Sequence, residues 1–321
     1  MKDMKEYPKP QDRFREISDS ELPAGFSITH GKVRDIIDLD DHLLICTSDR
    51  ISAFDRVLGT VPYKGEVLNK IALFWFEKTK DILQNHIVRE VGARTVFTRK
   101  CTVLPVEVVV RGYLTGSAWR DYSAGKKISG IELPGGMQFN QKFDRPLLTP
   151  SSKAEQGEHD LPLSREEILE RNIVDAGLWK QVEEAAFALF ERGSQAAAEN
   201  GLILVDTKYE FGTIGDELFL IDEVHTPDSS RFWYAEDYEK LFAEGKPQNI
   251  LDKEYLRSWL MEHGYMGDGT PPEIPEEVFC ETANRYITAF ETITGTDFVP
   301  SSLSADDEKK KIVETMEQIQ K

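Results

Sequence analysis

The sequence predicts an α+β protein of two lobes, with antiparallel sheets and packed helices. Three observations carry this. Runs rich in Val, Ile, Phe and Tyr, each short enough for a strand and bounded by Gly, Asp or Pro, fill 26–61, 93–116 and 202–231. Between and after them, apolar residues recur at helical spacing. And 321 residues, 40% of them apolar, match about two domains with sizeable cores.

In chain order, 1–25 is polar and proline-containing and reads as a loose arm with one short helix. SITHGKVRDIIDL and HLLICTSD then read as an antiparallel pair turning at Asp40–Asp41. Leu68, Ile71, Ala72, Trp75, Phe76, Ile82 and Leu83 form the stripe of an amphipathic helix. ARTVFTRKCTVLPVEVVVRGYLTG is β-rich, and Pro105 interrupts it as a hinge. The lobes are accordingly set at 1–103 and 104–321. Residues 130–160 are loop-rich, as functional segments often are. Ser164 and Glu167 form a capping box. Leu178, Val182, Ala186 and Leu189 mark a helix that Gly201 ends. A hairpin follows, turning at Gly215–Asp216, and helices are expected near 252–262, 275–293 and 304–320.

The formal charge of −18 excludes nucleic acid or an anionic membrane as the main partner, since both attract basic surfaces. The acid is uneven. Residues 252–321 hold fifteen Asp/Glu against seven Lys/Arg, whereas 89–127 hold eight Lys/Arg against three Asp/Glu. The first stretch reads as a solvated packing element, its acids Asp306, Asp307 and Glu308 exposed. The second is a candidate anion site. Three scattered cysteines imply neither a disulfide framework nor a zinc site. No signal peptide or bilayer-long apolar run is present, so a soluble cytoplasmic protein is expected.

Chemistry concentrates in LILVDTKYEFGTIGDELFLIDEVHTPDSSR (202–231). Alternation puts Leu204, Asp206, Lys208 and Glu210 on one strand face. The returning strand delivers Asp222 and Glu223. Two carboxylates beside a lysine can hold a divalent metal among phosphate oxygens. A surface hairpin with cross-strand ion pairs is the plainer reading. The apolar runs LILV and LFLI weigh against it, because charge buried beside them needs partners. HGKVRD (30–35) puts a glycine with Lys32 and Arg34, TSDRISAFD (47–55) is dense in hydroxyls and charge, and RGYLTGS (111–117) carries Arg111 out of an apolar strand between glycines.

Together GKVRDI (31–36), SDRISAFD (48–55), LPVEVVVRGYLTGS (104–117), VDTKYEFG (205–212) and IDEVHTPDSSRFW (221–233) resemble the phosphoribosylaminoimidazole-succinocarboxamide (SAICAR) synthetase family. The likeness runs from about 26 to 238. It implies an ATP-dependent ligase that joins L-aspartate to the carboxylate of an aminoimidazole ribonucleotide (CAIR) through an acyl phosphate in purine biosynthesis. It implies ATP and Mg²⁺, ATP lying in a cleft between the lobes, and small-molecule partners for a monomer or small homo-oligomer. By the same resemblance, Gly31, Lys32, Val33 and Arg34 cover the ATP phosphates. Ile36 and Leu44 sandwich adenine, Lys100 sits near the phosphates and the backbone at Val103 meets the adenine edge. Glu210 and Asp222 ligate Mg²⁺ beside Lys208. Arg111, Ser117 and Arg231 cradle CAIR, Asp160 completes the site from a facing loop, and Asp49 and Ser52 serve the aspartate pocket. A small-molecule kinase and a catalytically silent nucleotide-binding regulator are the alternatives from other classes. The first needs no aspartate; the second predicts loss of a cleft lysine or carboxylate, yet Lys208, Glu210 and Asp222 are present.

Overall fold

The computed structural model describes residues 13–54, 56–153, 161–251 and 254–319. The chain divides into two compact units. The first takes Met1–Phe74, His86–Lys100 and Asp252–Lys321, and the second takes Trp75–Asn85 and Cys101–Leu251.

The first unit begins with strands β1 (Ser27–His30), β2 (Arg34–Leu39) and β3 (His42–Thr47), a hairpin β4 (Arg50–Ala53) and β5 (Arg56–Thr60), and helix α1 (Lys64–Thr79). Strands β6 (Ile87–Glu90) and β7 (Thr95–Arg99) complete an antiparallel sheet of order β1-β2-β3-β7-β6. The turn between β2 and β3 falls at Asp40–Asp41, as expected, with Asp40 at φ 63. Cross-strand partners share a face. Ile28, Ile37, Leu44 and Phe97 form one row across the sheet, and Ile36, Ile45 and Val96 form the next row, on the opposite face.

In the second unit come β8 (Thr102–Val103), β9 (Val106–Tyr113), α2 (Gly116–Ser123), β10 (Lys142–Leu148), β11 (Ser151–Ser152), α3 (Arg165–Glu170) and α4 (Ala176–Glu199). They are followed by β12 (Leu202–Ile214), β13 (Glu217–Ile221), β14 (Ser230–Tyr234) and α5 (Ala235–Ala243). The long strand β12 organises this unit: it pairs antiparallel with β8, β9, β13 and β14 along its length. The two-residue turn at Gly215–Asp216 forms as read, with Gly215 at φ 58. The capping box forms too: Ser164 Oγ accepts from Glu167 N at 3.0 Å and Ser164 N donates to the Glu167 carboxylate at 2.7 Å. Buried Trp179, Val182, Ala186 and Leu189 give α4 its apolar stripe.

The chain then returns to the first unit with α6 (Glu254–Glu262), α7 (Glu276–Thr294) and α8 (Ala305–Ile319). This differs from the expected assignment of 252–321 to the larger lobe. The reason is packing. Ile312 and Met316 of α8 are fully buried in one cluster with Phe14, Ile17, Ile37, Leu39, Leu44 and Cys46. Lys70 Nζ donates to Val299 O at 2.7 Å, and Ser301 N to the Glu66 carboxylate at 2.7 Å. Glu308, expected to be exposed, is only 1% accessible. It lies one turn before Ile312, on the same helix face. Its carboxylate accepts the backbone N–H groups of Ala93 at 2.9 Å and Arg94 at 3.2 Å. Helical spacing says that a face is buried; it does not say against what.

Ile312→Ala should therefore destabilise the first unit by about 2–5 kcal/mol, seen as a lower urea midpoint. Ile319→Ala, 43% exposed in the native protein, should change it by less than about 0.5 kcal/mol. Removing the chain from Asp252 onward should yield aggregated protein, since it strips the cover from that cluster.

Candidate active site

One face of the β9–β12 pair carries the charge. Val109 stands opposite Lys208 and Arg111 opposite Asp206, so alternation puts Glu107, Arg111, Asp206, Lys208 and Glu210 on the same side. Lys208 Nζ lies 2.6 Å from a Glu107 carboxylate oxygen and 3.2 Å from one of Glu210. Lys153 holds the other Glu210 oxygen. Burial would lower the Lys208 pKa, but Glu210, Glu107 and, more weakly, Asp222 raise it above the ordinary lysine value. Burial likewise works to raise the Glu210 pKa. Lys208 and Lys153 outweigh it and hold that carboxyl below the usual range.

The segment after β13 turns sharply, with Asp222 at φ 64 and His225 at φ 47. Thr226 Oγ donates to the Glu223 carboxylate. Ser230 N donates to Thr226 O at 2.9 Å, and Lys208 N to Ser229 O at 2.9 Å. The TPDSS turn thus closes on itself and is pinned to β12 beside Lys208. His225 follows in the same turn. It is fully buried, and burial pulls its pKa down to about 3, keeping it neutral.

A second cluster lies further along the same face. Arg111, Asp206 and Arg231 form a row across β9, β12 and β14. Both guanidiniums reach the single Asp206 carboxylate, at 3.3 and 3.5 Å. Arg111 also donates to Thr149 Oγ at 2.9 Å and Ser117 Oγ at 3.1 Å. Burial lowers its pKa, Asp206 works against that, and Arg231 lowers it further. Two half-buried cations around one carboxylate leave surplus positive charge that an anion would offset. Gly116, at φ 57, closes the cluster; a Cβ there would strike the Arg231 guanidinium.

The first unit carries most of the remaining expected residues. Gly31 N donates to Arg34 O at 2.7 Å, closing the β1–β2 turn over Lys32 and Val33. Arg34 and Ile36 share one face of β2. Lys100, just beyond β7, pairs with Asp38 at 2.6 Å. Leu44 lies elsewhere: it pairs with Ile37, so it is on the face opposite Ile36 and is fully buried in the cluster with α8. The two cannot sandwich one ring. Asp49 is also differently employed. It is 1% exposed, accepts from Phe14 N at 2.9 Å and Gly65 N at 2.8 Å, and pairs with Arg94 at 2.7 Å. Both its oxygens serve the fold. Ser52 pairs with Val57 in the β4–β5 hairpin, and Val103 is 44% exposed on β8 beside Gly212. Asp160 lies outside the described residues.

Sequence reasoning missed Glu107 and left Lys153 and Thr149 without a role in the loop-rich stretch 130–160. Glu107 had a signal, as the one acid in VEVVVR, four residues and therefore one face from Arg111. Lys153 and Thr149 had none beyond their loop.

The SAICAR synthetase sequence profile matches residues 27–272. The chain belongs to the SAICAR synthetase family. A phosphoribosylaminoimidazole-succinocarboxamide synthase of Bacteroides thetaiotaomicron is 45% identical over 292 residues, covering 89% of this chain and 93% of that one. A structure of the SAICAR synthase of Saccharomyces cerevisiae complexed with SAICAR superposes with TM-score 0.78 at 33% identity, over 89% of this chain and 99% of that one. A SAICAR synthetase in complex with ADP shares the fold, with TM-score 0.65 at 23% identity, over 85% of this chain and 100% of that one. As a SAICAR synthetase, the protein is an ATP-dependent ligase that joins L-aspartate to CAIR in purine biosynthesis. Among the described residues no helix is long and apolar enough to cross a membrane.

A depressed carboxylate pKa adds stability above the unfolded value near 4.5 and loses it as pH falls through the folded value. Lys153→Met should therefore move the Glu210 titration upward, measured by carboxyl-carbon NMR. Acid unfolding should begin at higher pH in that variant.

Proposed function

We propose that the polar face of β9 and β12 is where the ligase chemistry is done, with the two clusters taking different parts of the substrates. The observation that carries this is Lys208 held between Glu107 and Glu210, on the same face as the arginine row. A carboxylate is a poor acyl donor because oxide would have to leave. Phosphorylation of the CAIR carboxylate by ATP gives an acyl phosphate, and the neutral amine of aspartate then displaces phosphate. Both steps concentrate negative charge, which a chain of net charge −18 must offset locally.

In this reading Lys208 neutralises charge on the transferred phosphoryl group. Arg111, Ser117 and Arg231 take the CAIR phosphate, for which a guanidinium pair is suited. Gly31, Lys32, Val33 and Arg34, with Ile36, Lys100 and the backbone at Val103, contribute to ATP recognition. Leu44 and Asp49 are left out of it, because both are committed to the core. Among the described residues no three His, Cys, Asp or Glu side chains converge to enclose a metal by themselves. Magnesium does not need that: one or two carboxylates plus phosphate oxygens suffice. Glu210 and Asp222 are hard oxygen donors that both act on Lys208, so the donor set fits. They would hold the ion, which when bound screens the charge on the phosphate oxygens.

The deciding experiment is a coupled ADP assay. ADP release should require CAIR, L-aspartate and Mg²⁺ together; equal turnover without aspartate would mean a kinase. Glu210→Gln and Asp222→Asn should each lower kcat by about a hundred- to a thousandfold. Near-native rates at saturating Mg²⁺ would remove both from the metal site. Arg111→Ala and Arg231→Ala should weaken CAIR binding while leaving ATP affinity within about twofold, measured by calorimetry. Selective loss of ATP binding would mean that the two anionic sites are interchanged.

A further inference from the structure

The reverse side of β12 holds a feature that the chemistry above does not use. Tyr209 sits between Lys208 and Glu210 in sequence, so its side chain points to the opposite face and is fully buried. There its hydroxyl lies 2.5 Å from Nε2 of His225. The imidazole is also held edge-on against Trp75, with ring centroids 4.7 Å apart at 86°, and against the Tyr209 ring at 5.4 Å and 62°. Helix α4 makes room for it with Gly193, where a Cβ would run into the ring. So a polar ring is packed on three sides, with one hydrogen bond to the strand that carries Lys208 and Glu210.

His225 also stands at the end of the turn that carries Asp222. Both residues have left-handed backbones, a conformation unfavourable for non-glycine residues unless the surroundings enforce it. Here the Thr226–Glu223 contact and the TPDSS turn enforce it on the outer side, and the buried imidazole on the inner side. An apolar ring of similar size would fill the space but lose the bond to Tyr209. We propose that His225 is a positioning residue: through Tyr209 it fixes the Asp222-bearing turn relative to Lys208 and Glu210, and so sets the affinity of the site for a divalent cation. This rests on the metal role given to Asp222 and Glu210.

The test uses the full chain and Mn²⁺ as probe, titrated in the presence of ADP and followed by electron paramagnetic resonance. His225→Phe and Tyr209→Phe should each weaken Mn²⁺ binding by about tenfold, the lower end of what residues supporting metal ligands contribute. The double variant should be no weaker than either single one, because both remove the same bond. The Mg²⁺ concentration for half-maximal activity should rise in parallel, while the CAIR KM at saturating Mg²⁺ stays within about twofold. Native Mn²⁺ affinity in both single variants, with only the melting temperature lowered, would show that the pair merely fills the core and would overturn the proposal. So would additive losses in the double variant. If His225→Phe fails to fold, Tyr209→Phe, which removes one hydroxyl, decides alone. Asp222→Asn separates the two readings. If it loses Mn²⁺ while both ring variants keep it, the metal assignment stands and the positioning role falls. If it binds Mn²⁺ as the native protein does, the metal assignment itself fails.

Discussion

Strand β12 must satisfy two demands at once. From Asp206 onward its backbone is paired in unbroken register to its neighbours, so its side chains there alternate between two faces. One face takes Thr207, Tyr209 and Phe211 into the interior, all 1% exposed or less. The other must then present Asp206, Lys208 and Glu210 together. Nothing but a matching set of charges makes that second face tolerable. Glu107 and Arg111 on β9, Arg231 on β14 and Lys153 after β11 supply it. The polar face is thus a condition for burying the apolar one, and the placement of the site follows from the register.

On the proposed assignment, this arrangement lets a strongly acidic chain serve anionic substrates. Cations on the polar face are not loose in solvent. Each is held by carboxylates that keep it charged and aimed, as Glu107 and Glu210 hold Lys208. In the proposed function, a substrate phosphate or carboxylate displaces such a partner in an environment where charge is weakly screened. The arginine row has the same logic with the balance tipped: two guanidiniums share Asp206 at distances too long for strong pairing.

Much of this was legible in the sequence, because local signals and the global fold agree. The Gly215–Asp216 turn, the Ser164–Glu167 box and the strip 202–231 all appear where the residues put them. The alternation of β12 gave the face shared by Asp206, Lys208 and Glu210. The adenine pairing of Ile36 with Leu44 failed on the same rule: a turn at Asp40–Asp41 pairs Ile36 with Ile45 and Leu44 with Ile37. That register was already implied by the turn. Asp49 read as a ligand contact because a buried carboxylate and a catalytic one look alike in sequence; only its partners, Arg94 and the N–H groups of Phe14 and Gly65, tell them apart. Glu107 needed its strand neighbour, and the partner of α8 needed the whole fold.

The packing of α8 also constrains how the protein is made. The first unit's core closes only when Ile312 and Met316 reach Phe14, Ile37 and Leu44, and Glu308 must meet the turn at Ala93 and Arg94. On a ribosome the first sheet emerges long before those residues exist. At about 5–20 residues per second, the interval between Lys100 and Ala305 is on the order of 10–40 s. The second unit, contained in Trp75–Leu251, has all its strands in hand earlier. It is therefore the piece that can fold first, and the sheet bearing Gly31–Arg34 must wait, partly uncovered, until α8 has been made.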